Sequence, residues 1–481
     1  MAIMRIISRL ILHKSSAPRW LCTVTEEPTA AATATQPRKR NLLFYKVVKA
    51  SPKSRVSDIL NNWVNQGNAV KRYDLVNLSS YFRSHKNFRA ALQLYDWMES
   101  SKLEITNADQ AVRIDLLSKT EGVSSAEKYF NTLQESEKTN KTYGALLGCY
   151  CRERDFSKAF EIFEEMKVLN YSTTLNYNNM LSLYYGTEQP EKVIALVQEM
   201  EEKNIAPDLY TYNLLINSYA ALKNLDAIEG VLEKMKSNNV ECDLFTCGNL
   251  ATVYLNSGLH EKANVFLGMM EKMEIQPDKN AFEACRTLIK LYSEMNDLSG
   301  VNRAWERLKS AFPSPNNTSY LFMLLALSKL GDQENLEKVF KEWEKGCSSY
   351  DYRLPNVLLE YYLSHDMIEK ATSLYESLAD RGTEPNLRTL NLFATLCVKN
   401  SQIDSGLKYL EMGLDKAKTR NSKWFPTDET IKLFLDYFEE NHDSDRAEKF
   451  IQRMKTLNRL DSNSLPMNTK APDAENEQPI S

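Results

Sequence analysis

The sequence predicts an all-α fold, a right-handed α-solenoid superhelix of about eleven helix-turn-helix repeats. A spacing of 23 residues between paired positions recurs nine times along the 481 residues. The first members of the pairs follow one another at 34, 35, 35, 38, 35, 35, 35 and 41 residues. Such a period is typical of a solenoid, because one unit cannot bury its apolar face alone and stacks on copies of itself. The nine anchor pairs are Tyr143/Met166, Tyr177/Met200, Tyr212/Met235, Cys247/Met270, Cys285/Leu308, Tyr320/Trp343, Pro355/Leu378, Leu390/Gly413 and Ile431/Met454.

The composition agrees with helical hairpins joined by short connections. The chain has only 15 Gly and 15 Pro and is 43% hydrophobic, which suits an all-helical protein. No run of 18 apolar residues occurs, so the sequence predicts no helix that spans a membrane.

The first 40 residues are predicted to be a transit peptide and a linker. Arg5, Arg9 and His13 lie four apart on one predicted helix face, and no acidic residue precedes Glu26. An amphipathic, Arg-bearing leader without acids resembles a mitochondrial transit peptide, with a plastid peptide or a plain disordered tail as alternatives. Residues 26–40, rich in Ala, Thr and Pro, are predicted to be linker.

The remaining segments are a predicted N-terminal helical cap over residues 41–71, the repeat array over 72–460 and a disordered tail over 461–481. Two weaker repeats, anchored at Leu75/Met98 and Gln110/Leu133, open the array. In the unit 209–243, apolar residues recur at helical spacing on both sides of the turn Lys223-Asn224. That pattern predicts two amphipathic helices packed as a hairpin.

The eight cysteines and five histidines show no metal-ligand or catalytic spacing. There is no Cys-x-x-Cys pair and no His-Glu-x-x-His motif, the spacings typical of zinc sites. Cys247 and Cys285 stand at anchor positions, which favours packing in the core as reduced thiols. We therefore expect no metal, no cofactor, no small-molecule substrate and no enzymatic activity.

One repeat contains Thr211-Tyr212-Asn213, Tyr219, Met235 and Asp243 in that order, and Asn176-Tyr177-Asn178 opens another repeat of the same kind. In these motif elements and their order, the repeats over about residues 72–460 resemble those of the pentatricopeptide repeat family, P class, of plant organelles. The tetratricopeptide repeat is the other candidate, but its strict period of 34 and its Trp/Leu-Gly/Tyr pattern are missing.

This resemblance implies that unpaired RNA bases are read one per repeat by two or three side chains. In the family, the residue after the anchor and the last residue of the unit select the base, and Asn/Asp favours uracil while Asn/Asn favours pyrimidines. The matching pairs here are Asn178/Asp208, Asn213/Asp243 and Asn356/Asn386. The residues two before the anchors, which would sandwich bases, include Leu175, Tyr210 and Phe245. A plainer reading of each Asp is that it caps the next helix.

Four basic residues stand nine past their anchors, where the family often places a phosphate contact: Lys119, Arg152, Lys329 and Lys399. Other selecting positions do not fit the pattern, namely Val76, Ala111, Gly144, Gly248, Arg286, Leu321 and Lys432. Asn391 fits, but the longer connection after it leaves its partner open.

The expected function is a single-stranded RNA-binding protein of the mitochondrion, acting in organellar RNA stability, processing or translation. Its partner would be organellar mRNA or rRNA, without a membrane. The net charge is −4, and loss of the leader's four positive charges leaves about −8, so a broad basic footprint is missing. Two alternatives stay open: a structural RNA- and protein-binding component of the mitochondrial ribosome, and a protein-binding helical-repeat adaptor.

Overall fold

The computed structural model describes residues 42–49, 55–274, 279–380, 385–419 and 424–456. The predicted leader and linker over residues 1–40 and the predicted tail over residues 461–481 lie outside these residues. The described part of the chain holds 24 α-helices and no strand, so the all-α prediction is confirmed. The residues group into two compact units, and the boundary along the chain falls between Cys242 and Asp243.

The helices of each unit are numbered in chain order. The first unit contains α1 (Leu42–Val48), α2 (Val56–Asn65), α3 (Arg72–Ser84), α4 (Phe88–Ser100), α5 (Asn107–Glu121), α6 (Val123–Thr132), α7 (Asn140–Glu153), α8 (Phe156–Val168), α9 (Thr174–Tyr185), α10 (Pro190–Glu202), α11 (Leu209–Ala221) and α12 (Leu225–Ser237). The second unit contains α13 (Leu244–Asn256), α14 (His260–Lys272), α15 (Lys279–Glu294), α16 (Leu298–Ala311), α17 (Asn317–Leu330), α18 (Gln333–Gly346), α19 (Arg353–Ser364), α20 (Ile368–Asp380), α21 (Leu387–Lys399), α22 (Ile403–Thr419), α23 (Asp428–Glu440) and α24 (Ser444–Thr456).

From α3 onward, each odd-numbered helix pairs with the helix that follows it, which gives five hairpins in the first unit and six in the second. We call the odd-numbered member of a hairpin its first helix and the other its second helix. Consecutive first helices contact one another from α5 to α11 in the first unit and from α13 to α23 in the second. Within each unit, these first helices therefore form a continuous layer.

The anchor positions are buried, as the 23-residue spacing predicts. Tyr177 and Tyr212 are fully buried, and so are the cysteines at anchor positions, Cys247 and Cys285. The residue sixteen past the anchor is also fully buried in most repeats, for example Ala159. Small or aliphatic side chains at that position let the two helices of a hairpin approach closely.

Recurring turn chemistry ends the first helix and starts the second. Lys223 adopts the left-handed conformation with φ 57°, which closes the C-terminus of α11. The next residue, Asn224, caps α12 by accepting a hydrogen bond from the backbone N–H of Ala227 at 3.1 Å. An Asn or Asp at this place satisfies one of the orphan N–H groups of the second helix.

One anchor is a glycine because a tryptophan fills the space beside it. Gly413 of α22 faces the ring of Trp424, and a Cβ added to the glycine would lie 2.5 Å from Cη2 of that ring. Trp424 belongs to the longer connection before α23. The extra residues in this repeat therefore place an indole ring at the position that a larger anchor side chain takes elsewhere.

The two ends of the described chain are closed by apolar clusters. At the N-terminal end, Leu43 of α1 and Leu60 of α2 pack in one cluster with Leu78 of α3. At the C-terminal end, Phe434 and Phe450 pack in a cluster between α23 and α24. Terminal repeats need such closure because they have a neighbour on one side only.

Candidate nucleic-acid interface

The structure brings the predicted pair Asn178 and Asp208 together across two adjacent first helices. Asn178 lies on α9 and is only 6% exposed. Its Nδ2 donates to both carboxylate oxygens of Asp208, each at 3.1 Å, and its Oδ1 accepts from the hydroxyl of Thr211 at 2.7 Å. Thr211 itself is fully buried on α11. The amide of Asn178 is therefore held in a fixed orientation between its neighbours.

Asp208 also caps α11, as the plainer reading of the sequence expects. Its Oδ1 accepts from the backbone N–H of Thr211 at 2.8 Å. Unlike Asn178, Asp208 is exposed. A carboxylate offers about four acceptor positions, so the cap and the bond from Asn178 leave acceptor capacity on the exposed side. Such a carboxylate can accept a hydrogen bond from an N–H on the edge of an unpaired base.

Two side chains flank this polar pair. Leu175, three residues before Asn178 on α9, is 49% exposed. Tyr210, on the next first helix, is partly buried, and its hydroxyl lies 2.8 Å from Oγ of Ser182. Burial raises the pKa of Tyr210 above its ordinary value, so the phenol stays neutral at physiological pH. One aliphatic and one aromatic surface therefore stand beside the Asn178/Asp208 pair.

The second predicted pair falls on both sides of the boundary between the units. Asn213 of α11, in the first unit, is 7% exposed. Asp243, in the second unit, is exposed and caps α13 by accepting from the backbone N–H of Thr246 at 2.8 Å. Phe245, two residues further on, is 69% exposed, unusually high for a phenylalanine and compatible with a stacking surface.

The third predicted pair, Asn356 and Asn386, is linked through a threonine. The Oδ1 of Asn356 accepts from the hydroxyl of Thr389 at 2.9 Å, and the Oδ1 of Asn386 accepts from the backbone N–H of Thr389 at 3.0 Å. Asn356 is 2% exposed, and its Nδ2 has no hydrogen-bond partner among the described residues. The amide donor therefore remains available at this pair, whereas Asn178 donates to a carboxylate.

The structure supplies the partner of Asn391 that the sequence leaves open. The Nδ2 of Asn391 donates to the hydroxyl of Thr430 at 3.0 Å, and its Oδ1 accepts from the backbone N–H of Thr427 at 3.2 Å. Thr427 is the N-cap of α23. The cap signal Thr-x-x-Thr was readable in the sequence, but the longer connection shifts it out of the regular period.

Three of the four predicted phosphate contacts are already ion-paired. Lys119 and Arg152 both bind Asp115, at 2.7 and 2.6 Å. Lys399 binds the exposed carboxylate of Asp366 at 2.6 Å. Lys329 is exposed at the end of α17 and has no ion pair within the described part of the chain. Of the four, Lys329 is thus the cation that a phosphate reaches without competing with a carboxylate.

Among the residues that the structure describes, no group of three or more His, Cys, Asp or Glu side chains could hold a metal ion. Their helices include none with both the length and the hydrophobicity to cross a bilayer.

Comparison with known proteins identifies the repeats. Residues 172–221 match the PPR repeat family, residues 141–171 and 210–240 match the PPR repeat, and residues 231–295 match the pentatricopeptide repeat domain. The structure is similar to that of the pentatricopeptide repeat protein PPR10 from maize, with a TM-score of 0.57 and 14% identity over 84% of this chain and 61% of that chain. This likeness confirms the α-solenoid fold.

Relatives in Arabidopsis thaliana match nearly the whole chain. A mitochondrial pentatricopeptide repeat-containing protein is 36% identical over 455 residues, 93% of this chain and 89% of its own length. The large ribosomal subunit protein mL101 is 34% identical over 403 residues, 83% of this chain and 82% of its own length. The mitochondrial localisation predicted from the sequence is confirmed by relatives that carry this location in their names. The chain belongs to the pentatricopeptide repeat family.

Proposed function

We propose that the chain is a single-stranded RNA-binding protein of the mitochondrion that acts in the stability, processing or translation of organellar RNA. The observation that carries this proposal is the junction of α9 and α11. There a fixed amide and an exposed carboxylate, Asn178 and Asp208, lie 3.1 Å apart, with Leu175 three residues before Asn178 on α9 and Tyr210 two residues after Asp208 on α11. Polar groups that hydrogen-bond a base edge, together with flat surfaces that stack on it, suit unpaired nucleotides.

The relatives support the same class of ligand. A structure of the PPR10 protein in complex with an 18-nt psaJ RNA element is also known. It matches this chain with a TM-score of 0.50 over 86% of this chain. In a duplex, the base edges are already paired, and the A-form major groove is too deep and narrow for side chains to read. A site in which side-chain pairs select the base therefore binds single-stranded RNA.

The charges of the described residues favour binding that depends little on bulk electrostatics. Lys119, Arg152 and Lys399 each face a carboxylate, so a phosphate gains less from them than from a free cation. We therefore expect the dissociation constant to depend only weakly on salt concentration. Each phosphate contact to a single strand contributes about 0.7 to the slope of the logarithm of affinity against the logarithm of salt concentration.

A second function is favoured by the likeness to mL101, a protein of the large ribosomal subunit that this chain matches over 82% of its length. In that case the helical layers would hold ribosomal RNA by shape, and the irregular selecting positions, such as Gly144 and Leu321, would need no base preference. Recognition of RNA by its shape needs only a few intact base-selecting pairs.

Fluorescence anisotropy with labelled single-stranded RNA tests the proposal directly. We expect the wild type to bind, and Asn178→Ala to weaken binding and reduce the preference among bases. Asn176→Ala is the matched control, because Asn176 is an equally buried amide on the same helix whose Nδ2 donates to the carbonyl of Tyr171 at 2.8 Å. Equal RNA affinity and base preference in the two variants would contradict base reading at Asn178.

Sedimentation of a mitochondrial extract in a sucrose gradient separates the two functions. A transcript-binding protein moves to light fractions after nuclease treatment, because its complex depends on accessible RNA. A ribosomal component stays with the large subunit under conditions that leave the subunit intact. Sedimentation as free protein both with and without nuclease would contradict both functions.

A further inference from the structure

The positive charge of the chain is concentrated ahead of the repeats. Residues 38–71 hold eight Lys and Arg and a single acidic residue, Asp58, which gives this segment a net charge of +7. The repeat array over residues 72–460 holds 47 basic and 57 acidic residues, a net charge of −10. A phosphate backbone is attracted by positive surfaces and repelled by negative ones. The segment before the first repeat is therefore the part of the chain that attracts a polyanion most strongly.

Four cations of this segment are exposed and face no carboxylate among the described residues. We call α1 and α2, with the connections up to residue 71, the cap. None of its four described cations forms an ion pair with a described residue, and these cations are Lys46, Lys49, Arg55 and Lys71. In the repeats, by contrast, Lys119 is paired with a carboxylate. A phosphate can therefore bind the cations of the cap without displacing an acidic side chain.

One side of α1 combines two of these cations with apolar surface. The opposite side of the helix packs in the cluster with α2 and α3. The exposed side is formed by residues at helical spacing, namely Leu42, Tyr45, Lys46 and Lys49. Leu42 is 69% exposed and Tyr45 is 47% exposed. Terminal repeats normally present a polar face to water, so apolar and aromatic side chains among lysines indicate a surface that a ligand covers.

This side of α1 lines a hollow together with the end of α2. The hollow has a volume of about 590 Å³, and its other walls are Trp63, Gln66 and Asn68. Among the described residues that line it, none is acidic. Its volume lies within the range of about 300–1,000 Å³ that is typical of small-ligand sites. The hollow thus offers aromatic surface, amide groups and positive charge to one ligand.

Trp63 is held in a defined place at the wall of the hollow. Its Nε1 donates to the carbonyl oxygen of Ala69 at 3.3 Å. The ammonium group of Lys46 lies 5.5 Å from the centre of the Trp63 ring and donates to Oε1 of Gln66 at 3.2 Å. Sites for single-stranded nucleic acids combine the same groups, because bases stack on aromatic rings while cations bind the backbone.

We propose that the hollow of the cap binds one nucleotide of a single-stranded RNA. Its base lies against Tyr45 and Trp63. The adjoining phosphates bind Lys46 and Lys49. The inference rests on the proposed RNA-binding function and adds an anchor outside the repeats. Every base has a flat face that stacks, so this anchor accepts all four bases, and two phosphate contacts keep the salt dependence of binding weak.

The double variant Lys46→Gln with Lys49→Gln tests the phosphate contacts. Its affinity is measured by anisotropy at several salt concentrations with labelled single-stranded oligo(U) and oligo(A) of about fifteen nucleotides, more than one base per repeat requires. We expect the slope of the logarithm of affinity against the logarithm of salt concentration to fall by about 1.4, because each lost contact removes about 0.7. Binding of both oligonucleotides should weaken about tenfold at low salt.

Lys338→Gln with Lys341→Gln is the matched control. These two lysines are also three residues apart on one helix, α18, and both are exposed without an ion pair to a described residue. The control removes the same charge and should bind RNA with the affinity and salt slope of the wild type. Thermal unfolding by circular dichroism checks that each variant is folded.

Tyr45→Ser tests the stacking contact independently of charge. Because Tyr45 is half exposed, its replacement disturbs the packing of the cap little. We expect binding of both oligonucleotides to weaken about tenfold, the loss of one stacked base at ~1.4 kcal/mol, with an unchanged salt slope. This variant decides the matter if the lysine double variant proves unstable.

Wild-type affinity and salt slope in the lysine double variant of the cap would overturn the inference, as would wild-type affinity in Tyr45→Ser. Equal losses in the control variant would also overturn it, since they would reflect net charge alone. Flotation with vesicles of phosphatidylcholine and phosphatidylglycerol examines the other phosphate-bearing surface. Vesicle binding that the cap variant loses, while its RNA binding is unchanged, would assign the hollow to a membrane and contradict the inference.

The two proposals fail in different ways. If the wild type binds RNA and the cap variants bind it equally well, only the anchor in the cap is wrong. If the wild type binds neither oligonucleotide, the proposed function fails together with the anchor.

Discussion

Glu199 is the residue whose replacement tests the packing of the first unit most sharply. Its carboxylate accepts from the hydroxyl of Tyr177 on α9 at 2.9 Å. It also binds the ammonium groups of Lys167 on α8 at 2.7 Å and Lys203, just past α10, at 2.9 Å. One side chain thus joins two successive hairpins. Glu199→Gln keeps the size of the side chain and weakens all three contacts.

The size of the effect follows from the exposure of the partners. Glu199 has 30% of its side chain exposed, so each Lys pair is expected to contribute about 0.2–1 kcal/mol, as in exposed pairs. The bond from Tyr177 changes from charge-assisted to neutral, a loss of about 1 kcal/mol. Together these losses lead us to expect that Glu199→Gln destabilises α8–α10 by about 1.5–3 kcal/mol at pH 7.

The effect should depend on pH in a defined direction. Burial alone would raise the pKa of Glu199, but the hydrogen bonds from Lys167, Lys203 and Tyr177 outweigh it and lower the pKa to about 2 from an ordinary value of 4.5. A lowered pKa means that the carboxylate stabilises the folded state above pH 4.5, and that this stabilisation is lost as the pH falls towards 2. The difference between wild type and variant should therefore shrink over that range.

Hydrogen exchange read by mass spectrometry reports the local stability of α8–α10, which a global unfolding curve of a repeat protein averages. Glu201→Gln is the control, because Glu201 also lies on α10, has 33% of its side chain exposed and, among the described residues, forms an ion pair with Lys234 alone. Glu201→Gln should lower the local free energy of unfolding by about 0.5 kcal/mol or less. Equal effects of the two variants, or an effect of Glu199→Gln that is the same at pH 7 and pH 3, would refute the reasoning.

Three further predictions concern RNA binding and packing. The double change Asn178→Ala with Asn213→Ala should weaken binding to a uracil-containing strand by ~1–3 kcal/mol per lost contact at most and flatten the preference over adenine, measured by filter binding. Lys329→Ala should lower the logarithmic salt slope by about 0.7, whereas Lys119→Ala should lower it less because Asp115 already neutralises that lysine; equal slopes would contradict this ranking. Gly413→Met should destabilise the second unit by about 1–3 kcal/mol in thermal unfolding because its side chain meets the ring of Trp424, and an unchanged melting temperature would contradict the packing.

Periodicity predicts the burial of the anchors because the same physical requirement recurs in every repeat. Tyr177, Cys247 and Trp343 differ in size and chemistry, yet each is at most 1% exposed. A position that faces the neighbouring helix must be apolar whatever its residue type. The spacing also identified Gly413 as an anchor, although glycine has no apolar side chain. The spacing could not predict the ring of Trp424 that covers it, because this ring comes from an irregular connection.

The pair of Asn178 and Asp208 was predictable because both residues have a fixed place in the repeat. The ion pairs around the predicted phosphate contacts were only partly so. Asp115 and Lys119 are four apart on α5, a spacing that the sequence shows, but Arg152 reaches the same carboxylate from the next hairpin, 37 residues away. The partner of a long charged side chain depends on local geometry, and the energy differences between partners are small. The repeat period does not specify that geometry.

The base-selecting pairs are a proposal that photo-cross-linking tests most directly. The full-length protein is irradiated in complex with single-stranded RNA that contains 4-thiouridine, and the cross-linked peptides are identified by mass spectrometry. The account predicts cross-links on the first helices, at or beside Leu175, Tyr210 and Phe245, with a loss of those on α9 in Asn178→Ala. Cross-links confined to second helices, such as those at the exposed side chains of Phe160 and Val265, would contradict it.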